Sequence, residues 1–393
     1  MDPRSNPYAP GAGAPPPELA GRDHIIESAA IALDRMRAGL SARSVMLVGL
    51  RGVGKTVLLN RLYNEAEAKG LATVMLEAPE RRSLPALLAP ALRAALLKLD
   101  RMAAGGDLAK RALRSLGGFV QAMKLKFDDI EFGIDLGLEP GVADSGDLEA
   151  DLIALFRSVG EAARERQTVL VVFIDELQYV AEEQLAALIT ALHRCAQLQL
   201  PVTLVGAGLP QLLGQLGRAK SYAERLFEFI HVGPLPVADA RLAITAPALR
   251  IGVTFDEDAL DEIVRQTQGY PYFLQEWGKH SWKCAATSPI RLGDVQAATE
   301  QALAELDGSF FRVRLDRLAP SEKRYLRAMA ELGPGPHRSG DIAHVLGREV
   351  QTVAPIRAKL IDKGMVYSPS HGDTGFTVPL FDAYMRRVMP TLD

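Results

Sequence analysis

A chain of 393 residues of which 48% are hydrophobic is long enough for two or three domains and apolar enough to fill a core in each. Its formal net charge of -3 and sequence pI of about 6.2 exclude a global positive field that would draw it onto nucleic acid, so any such contact must be local. Two cysteines, Cys195 and Cys284, show neither metal-ligand spacing nor a disulfide framework; both are expected to pack, in a reducing compartment.

Residues 2–17 are rich in proline, glycine and alanine and have little to bury, which predicts a mobile tail over 1–17. No secretory signal or membrane span is visible, and the longest apolar run, Val169 to Ile174, is strand-sized. The expected location is the cytoplasm. A helical pattern runs from His24 to Met36, and an apolar run from Val45 then ends in Gly49-Leu50-Arg51-Gly52-Val53-Gly54-Lys55-Thr56 before an amphipathic helix begins. This G-x-x-x-x-G-K-T spacing between a strand and a helix is that of a phosphate loop. Glycines let backbone N–H groups turn inward, and the helix N-terminus adds partial positive charge at the same spot. Gly49, Gly52, Val53, Gly54, Lys55, Thr56 and Val57 are therefore expected around the polyphosphate of ATP. Lys55 would reach the β- and γ-phosphates and Thr56 would ligate Mg²⁺.

Leu71 to Glu77 reads as a second strand and Leu84 to Leu99 as a helix. Between 123 and 138, Leu125, Phe127, Ile130, Phe132, Ile134, Leu136 and Leu138 mostly alternate with polar residues or glycine around Asp128-Asp129, the pattern of a hairpin insertion that serves as a flap or a partner-docking edge. A helix to Arg166 precedes Thr168 to Glu176, whose unbroken apolar run predicts a central parallel strand with acids at its ligand-binding end. Asp175 would hold Mg²⁺ through its water shell and Glu176 would polarise the attacking water; alternation along a strand would point them opposite ways. Gln184 to Gln199 (helix), Pro201 to Pro210 (strand and turn) and Ser221 to Val232 (helix end into a strand) follow. Four helical patterns lie between Ala238 and Leu306. From about Arg312 the pattern is helix, helix-turn-helix and wing, with Val350 to Lys363 as the recognition helix. Gln351, Thr352, Arg357, Lys359 and Lys363 are its expected donors to DNA. Acids are almost as frequent there as bases, so duplex DNA and a protein partner both stay open.

The phosphate loop and the acid-capped strand, with Pro16-Pro17-Glu18-Leu19-Ala20-Gly21-Arg22-Asp23 upstream and Gly269-Tyr270-Pro271 downstream, resemble AAA+/STAND-type P-loop ATPases of the initiator, origin-recognition-like branch. The resemblance covers everything after the tail. It implies an α/β fold: a P-loop NTPase parallel sheet (18–235), a helical lid (236–311) and a winged helix-turn-helix domain (312–393). Gly21 and Arg22, in the entry box, would lie against adenine, and Pro271 would lean on the nucleotide. Arg225 stands where the family carries an arginine finger that acts on a neighbouring subunit in a nucleotide-dependent homo-oligomer; the other reading is a surface arginine beside Glu224 or Glu228. Two departures stand out. Gly206-Ala207-Gly208 offers no side-chain sensor at the end of its strand, leaving Thr203 or a backbone N–H to substitute, and no arginine adjoins Pro271. The implied activity is slow Mg²⁺-dependent ATP hydrolysis by a nucleotide switch. Its C-terminal domain would bind DNA or, as in a signalling or scaffold ATPase, dock a protein.

Overall fold

The computed structural model describes residues 1–11, 13–78, 83–101, 107–125, 141–370 and 372–392. Five parallel strands form the central sheet: β1 (Ser44–Val48), β2 (Ala72–Glu77), β3 (Leu170–Asp175), β4 (Val202–Gly208) and β5 (Phe227–His231), in spatial order β2-β3-β4-β1-β5. Every residue of β1, β3 and β4 is buried, because helices cover both faces. Side-chain alternation divides the apolar run of β3 between two cores. Val171 and Phe173 pack with α1 (Asp23–Arg37) and α2 (Lys55–Ala68). Leu170, Val172 and Ile174 face the core shared with α3 (Leu84–Arg101), α4 (Asp107–Ala122), α5 (Leu148–Glu165) and α6 (Glu182–Gln197). Being parallel, the strands bring the turn after β1, the acids of β3 and the end of β4 to one edge.

Between β4 and β5 lie α7 (Gln211–Ala219) and the short α8 (Ala223–Leu226). The lid is α9 (Val237–Leu249), α10 (Glu257–Thr267), α11 (Pro271–Cys284) and α12 (Leu292–Glu305). A π-helical turn, Leu306–Phe311, joins α12 to α13 (Arg312–Asp316) without a break. The C-terminal module then packs α14 (Pro320–Glu331), α15 (Ser339–Val345), α16 (Val350–Asp362) and α17 (Phe381–Val388) with a three-stranded sheet. That sheet is antiparallel, in order β6 (His337–Arg338), β8 (Asp373–Phe376), β7 (Val366–Tyr367), an arrangement consistent with a winged helix.

The expected division at 311/312 falls within this continuous helical run. Phe273 of the lid touches Phe310 and Phe311, and Phe311 in turn stacks on Tyr384 with ring centroids 5.0 Å apart. One apolar core thus spans lid and C-terminal module. The N-terminal residues, expected to be mobile, are also packed. Trp282 Nε1 donates to the Asp2 carbonyl (2.9 Å), Asn6 Nδ2 to that of Lys279 (3.0 Å), and the Tyr8 hydroxyl to that of Ile244. The Tyr8 ring is only 3% exposed and lies over Gly278. Composition misled here because one aromatic and a few backbone carbonyls suffice to anchor an otherwise featureless segment.

Of the expected 123–138 hairpin, 126–138 lies outside the described residues; 123–125 close α4. Among the described residues no helix is long and apolar enough to cross a membrane.

Candidate nucleotide site

The turn from β1 into α2 is held open by its glycines. A side chain at Gly49 would stand 2.0 Å from the Val232 carbonyl, and Gly54 caps α2 at φ 93°, a conformation that costs little only for glycine. Lys55 is buried, and its ammonium donates to the carbonyls of Gly49 (3.0 Å) and Leu50 (2.8 Å). Burial pulls its pKa down to about 8, against the opposing pull of Glu176 and Asp175. An ammonium held only by two carbonyls in such a place is ready to exchange them for phosphate oxygens. Thr56 Oγ1 donates to Asp175 Oδ2 at 2.6 Å, joining loop to β3. Burial raises the Asp175 pKa, partly offset by this bond.

Glu176 does not continue β3. It turns into the left-handed region at φ 54°, and that turn, not strand alternation, separates it from Asp175. Its carboxylate accepts from Gln178 Nε2 and lies 3.9 Å from Arg51 Nη1. Gln178 also accepts from the Leu209 N–H through Oε1 (3.0 Å), so it ties the end of β4 to Glu176. It stands at the vacant sensor position, where Gly208 leaves room: a side chain there would meet Gln178 Oε1. Thr203 does not substitute; it is buried at the other end of β4, bonded to Ser44.

A cavity of about 330 Å³ runs from the phosphate loop to the lid. Val53, Gly54, Lys55, Thr56 and Val57 line one wall and Pro271 and Tyr272 another. The Tyr272 N–H donates to the Gly52 carbonyl at 3.2 Å, so the lid helix α11 grips the loop directly. Arg22 lines the cavity, but its guanidinium donates to the carbonyls of Val53 and Gly233, fastening the entry segment to the loop. Gly21 beside it abuts Asp239 at the start of α9. The N-terminal segment roofs the cavity through Pro10, Gly11, Gly13 and Ala14.

Arg314 was missed by sequence reasoning. It lies on α13, 43 residues beyond Pro271, yet its side chain lines this cavity with Arg51 and Glu176. No local motif marks it; only the helical continuity from α12 through the π turn brings it back to the loop. Arg225, by contrast, is exposed on α8 just before β5 and forms no ion pair among the described residues. Since β5 runs parallel to β1, it lies at the opposite end of the sheet from its own phosphate loop.

On α16, Gln351, Thr352 and Lys359 are exposed. Arg357 is turned inward, donating to Thr374 Oγ1, Ser368 Oγ and the Asp373 carbonyl. Lys363 pairs with Glu322 at 2.7 Å. The module is docked on the ATPase sheet: the Arg51 N–H donates to the Thr377 carbonyl (3.0 Å), and Arg51 Nη2 donates to the Tyr179 hydroxyl (2.8 Å) beside Gly364.

Residues 18–205 match the family described as "AAA ATPase domain", and residues 308–385 match a domain of unknown function, DUF8462. No curated protein matches the chain. Among solved structures, the Walker-type ATPase PABY2304 of Pyrococcus abyssi is similar in fold, with 17% identity and TM-score 0.61 over 94% of this chain and 96% of that one. Aeropyrum pernix Orc1, solved in complex with DNA, gives 16% identity and TM-score 0.47 over 94% and 93%. The Thermotoga maritima RuvB Holliday junction branch migration motor gives 16% and 0.44 over 90% and 92%. Residues 18–205, which hold the phosphate loop and the acid-capped β3, therefore carry the AAA ATPase domain of a P-loop ATPase.

Proposed function

We propose that this protein is a slow Mg²⁺-dependent ATPase that works as a nucleotide-set switch, in keeping with the initiator-branch resemblance. ATP lies between the phosphate loop, the entry segment Gly21-Arg22 and the lid at Pro271. The observation that carries the reading is the bond from the Arg51 N–H to the Thr377 carbonyl. It makes the C-terminal module part of the phosphate loop's own surroundings, so a change in what the loop holds changes how the module sits.

Thr56 and Asp175 fit Mg²⁺. They bring hard oxygen donors within 2.6 Å of each other, and the buried carboxylate favours a cation beside it. Mg²⁺ when bound neutralises charge on the β- and γ-phosphates. Lys55 leaves its two carbonyls for the same oxygens. Glu176 takes the proton of a water that attacks the γ-phosphorus, as the bond from that phosphorus to the bridging oxygen breaks and ADP leaves with that oxygen. Glu176 is held by Gln178, so the base must first be freed, which supports the reading of a slow enzyme. Arg225, exposed and at the far end of the sheet, can serve only a neighbour's nucleotide, which supports a nucleotide-dependent homo-oligomer.

The outer face of the C-terminal module is proposed to bind duplex DNA through Gln351, Thr352 and Lys359. A second reading, docking of a protein partner, is favoured by the exposed Val350, Ala354 and Ala358, spaced four apart on α16, and by the internal engagement of Arg357 and Lys363. The full chain with ATP should retard duplex DNA in a gel, with binding that falls steeply as salt rises. No retardation at low salt would leave the protein partner as the remaining reading.

A further inference from the structure

We propose that the C-terminal module reads the terminal phosphate of bound ATP through Arg314, which together with Arg51 forms a cationic clamp acting within the same chain. The assignment rests on the nucleotide site described above and gives the domain of unknown function, which holds Arg314, a part in nucleotide recognition. Three observations carry it. First, Arg314 lines the cavity that the phosphate loop builds, and so do Arg51 and Glu176, the residue proposed above as the base. The same three residues also line a second cavity of about 460 Å³ between the sheet and the module. They form the wall between the two, at the phosphate end of the nucleotide cavity.

Second, Arg314 forms no ion pair with a carboxylate among the described residues. Its guanidinium lies 4.0 Å over the Phe310 ring and donates to the Phe310 carbonyl. Ring and carbonyl orient a guanidinium without neutralising it. Burial first, and the nearby Arg51 after it, push its pKa down to about 10. A guanidinium fork has the geometry for phosphate oxygens.

Third, the arginine is placed by a rigid path. Tyr272, whose N–H donates to the Gly52 carbonyl, stacks on Phe310 with centroids 4.8 Å apart and planes 21° apart. Phe310 lies in the π turn that leads into α13, and Arg314 lies one turn on. The lid's grip on the phosphate loop and the position of Arg314 are thus set by one aromatic stack.

The test measures ATP and ADP affinities by calorimetry on the full chain, in a Glu176→Gln background that prevents turnover. Arg314→Gln is expected to weaken ATP by about tenfold to a hundredfold while ADP changes by less than about twofold. Arg314→Lys keeps the charge without the fork and should fall between; it also serves if the glutamine variant loses its near-ultraviolet circular dichroism. Equal weakening of both nucleotides, or of neither, overturns the assignment and leaves the site reading intact. If the Glu176→Gln chain with Arg314 in place binds neither nucleotide, the site reading itself fails and the assignment with it.

Discussion

The backbone N–H of Arg51, inside the phosphate loop, donates to the carbonyl of Thr377, 326 residues further along the chain, at 3.0 Å. A few ångströms away the Arg51 guanidinium touches Tyr179 and approaches Glu176. Loop, base and C-terminal module therefore meet at one residue. Gly364 makes the contact close: at φ 63° it packs so that a side chain would come within 2.9 Å of Arg51 Nη2. Gly364→Val should strain the turn by roughly 1 kcal/mol or more and push the module off the loop. Hydrogen exchange should rise in residues 364–378 and in the phosphate loop, with the central strand β3 unchanged; unchanged exchange at the loop would show that the contact is incidental.

Lys55→Ala should lower ATP affinity by about a hundredfold or more while circular dichroism and the unfolding transition stay near those of the parent, because the ammonium's present partners are loop carbonyls, not core groups. Calorimetry that returns an unchanged dissociation constant would remove Lys55 from the site.

Glu176→Gln keeps shape and polarity but cannot accept the proton. ATP should stay bound and phosphate release should drop by roughly 10²-fold or more. Unaltered turnover would place the base elsewhere.

How far these residues were legible in the sequence depended on how local their signals are. The phosphate loop and the acids at the end of β3 are contiguous motifs whose chemistry dictates residue type and spacing, and the structure sets Thr56 against Asp175. The strand runs were equally plain, since burial on both faces leaves little but apolar residues in β3. What was not legible is what arises from packing between distant segments. Arg314 reaches the cavity only because α12 runs on through the π turn. Gln178 reaches the sensor position only because Gly208 leaves space. Arg357 looked like a DNA donor on a helix, but β8 supplies it with acceptors that no reading of α16 alone could foresee.

Tyr8→Ala tests the packing of the N-terminal segment. Loss of a buried aromatic from a core contact costs about 3 kcal/mol or more, comparable to all that the few remaining hydrogen bonds of residues 1–11 supply. The segment should detach and become sensitive to protease under native conditions, with the lid still folded. Resistance equal to that of the parent would mean that Tyr8 does not anchor it.

Arg225→Ala should leave ATP binding intact and remove stimulation of a neighbour. Mixing Arg225→Ala with Glu176→Gln subunits creates interfaces that pair an intact arginine with an intact base, so activity should exceed that of either variant alone. A chain that stays monomeric with ATP at micromolar concentration, or a mixture with no recovery, makes Arg225 a surface residue and confines the switch to one chain.

In the proposed switch the terminal phosphate sets the docking of the C-terminal module on the phosphate loop. Hydrogen exchange of the Glu176→Gln chain, saturated with ATP or with ADP, measures this most directly at the amides of Arg51 and of residues 364–378. Protection there should differ between the two nucleotides by about tenfold or more, while β1 and β3 remain equally protected in both. Identical protection with ATP and ADP, at saturation, would contradict the account.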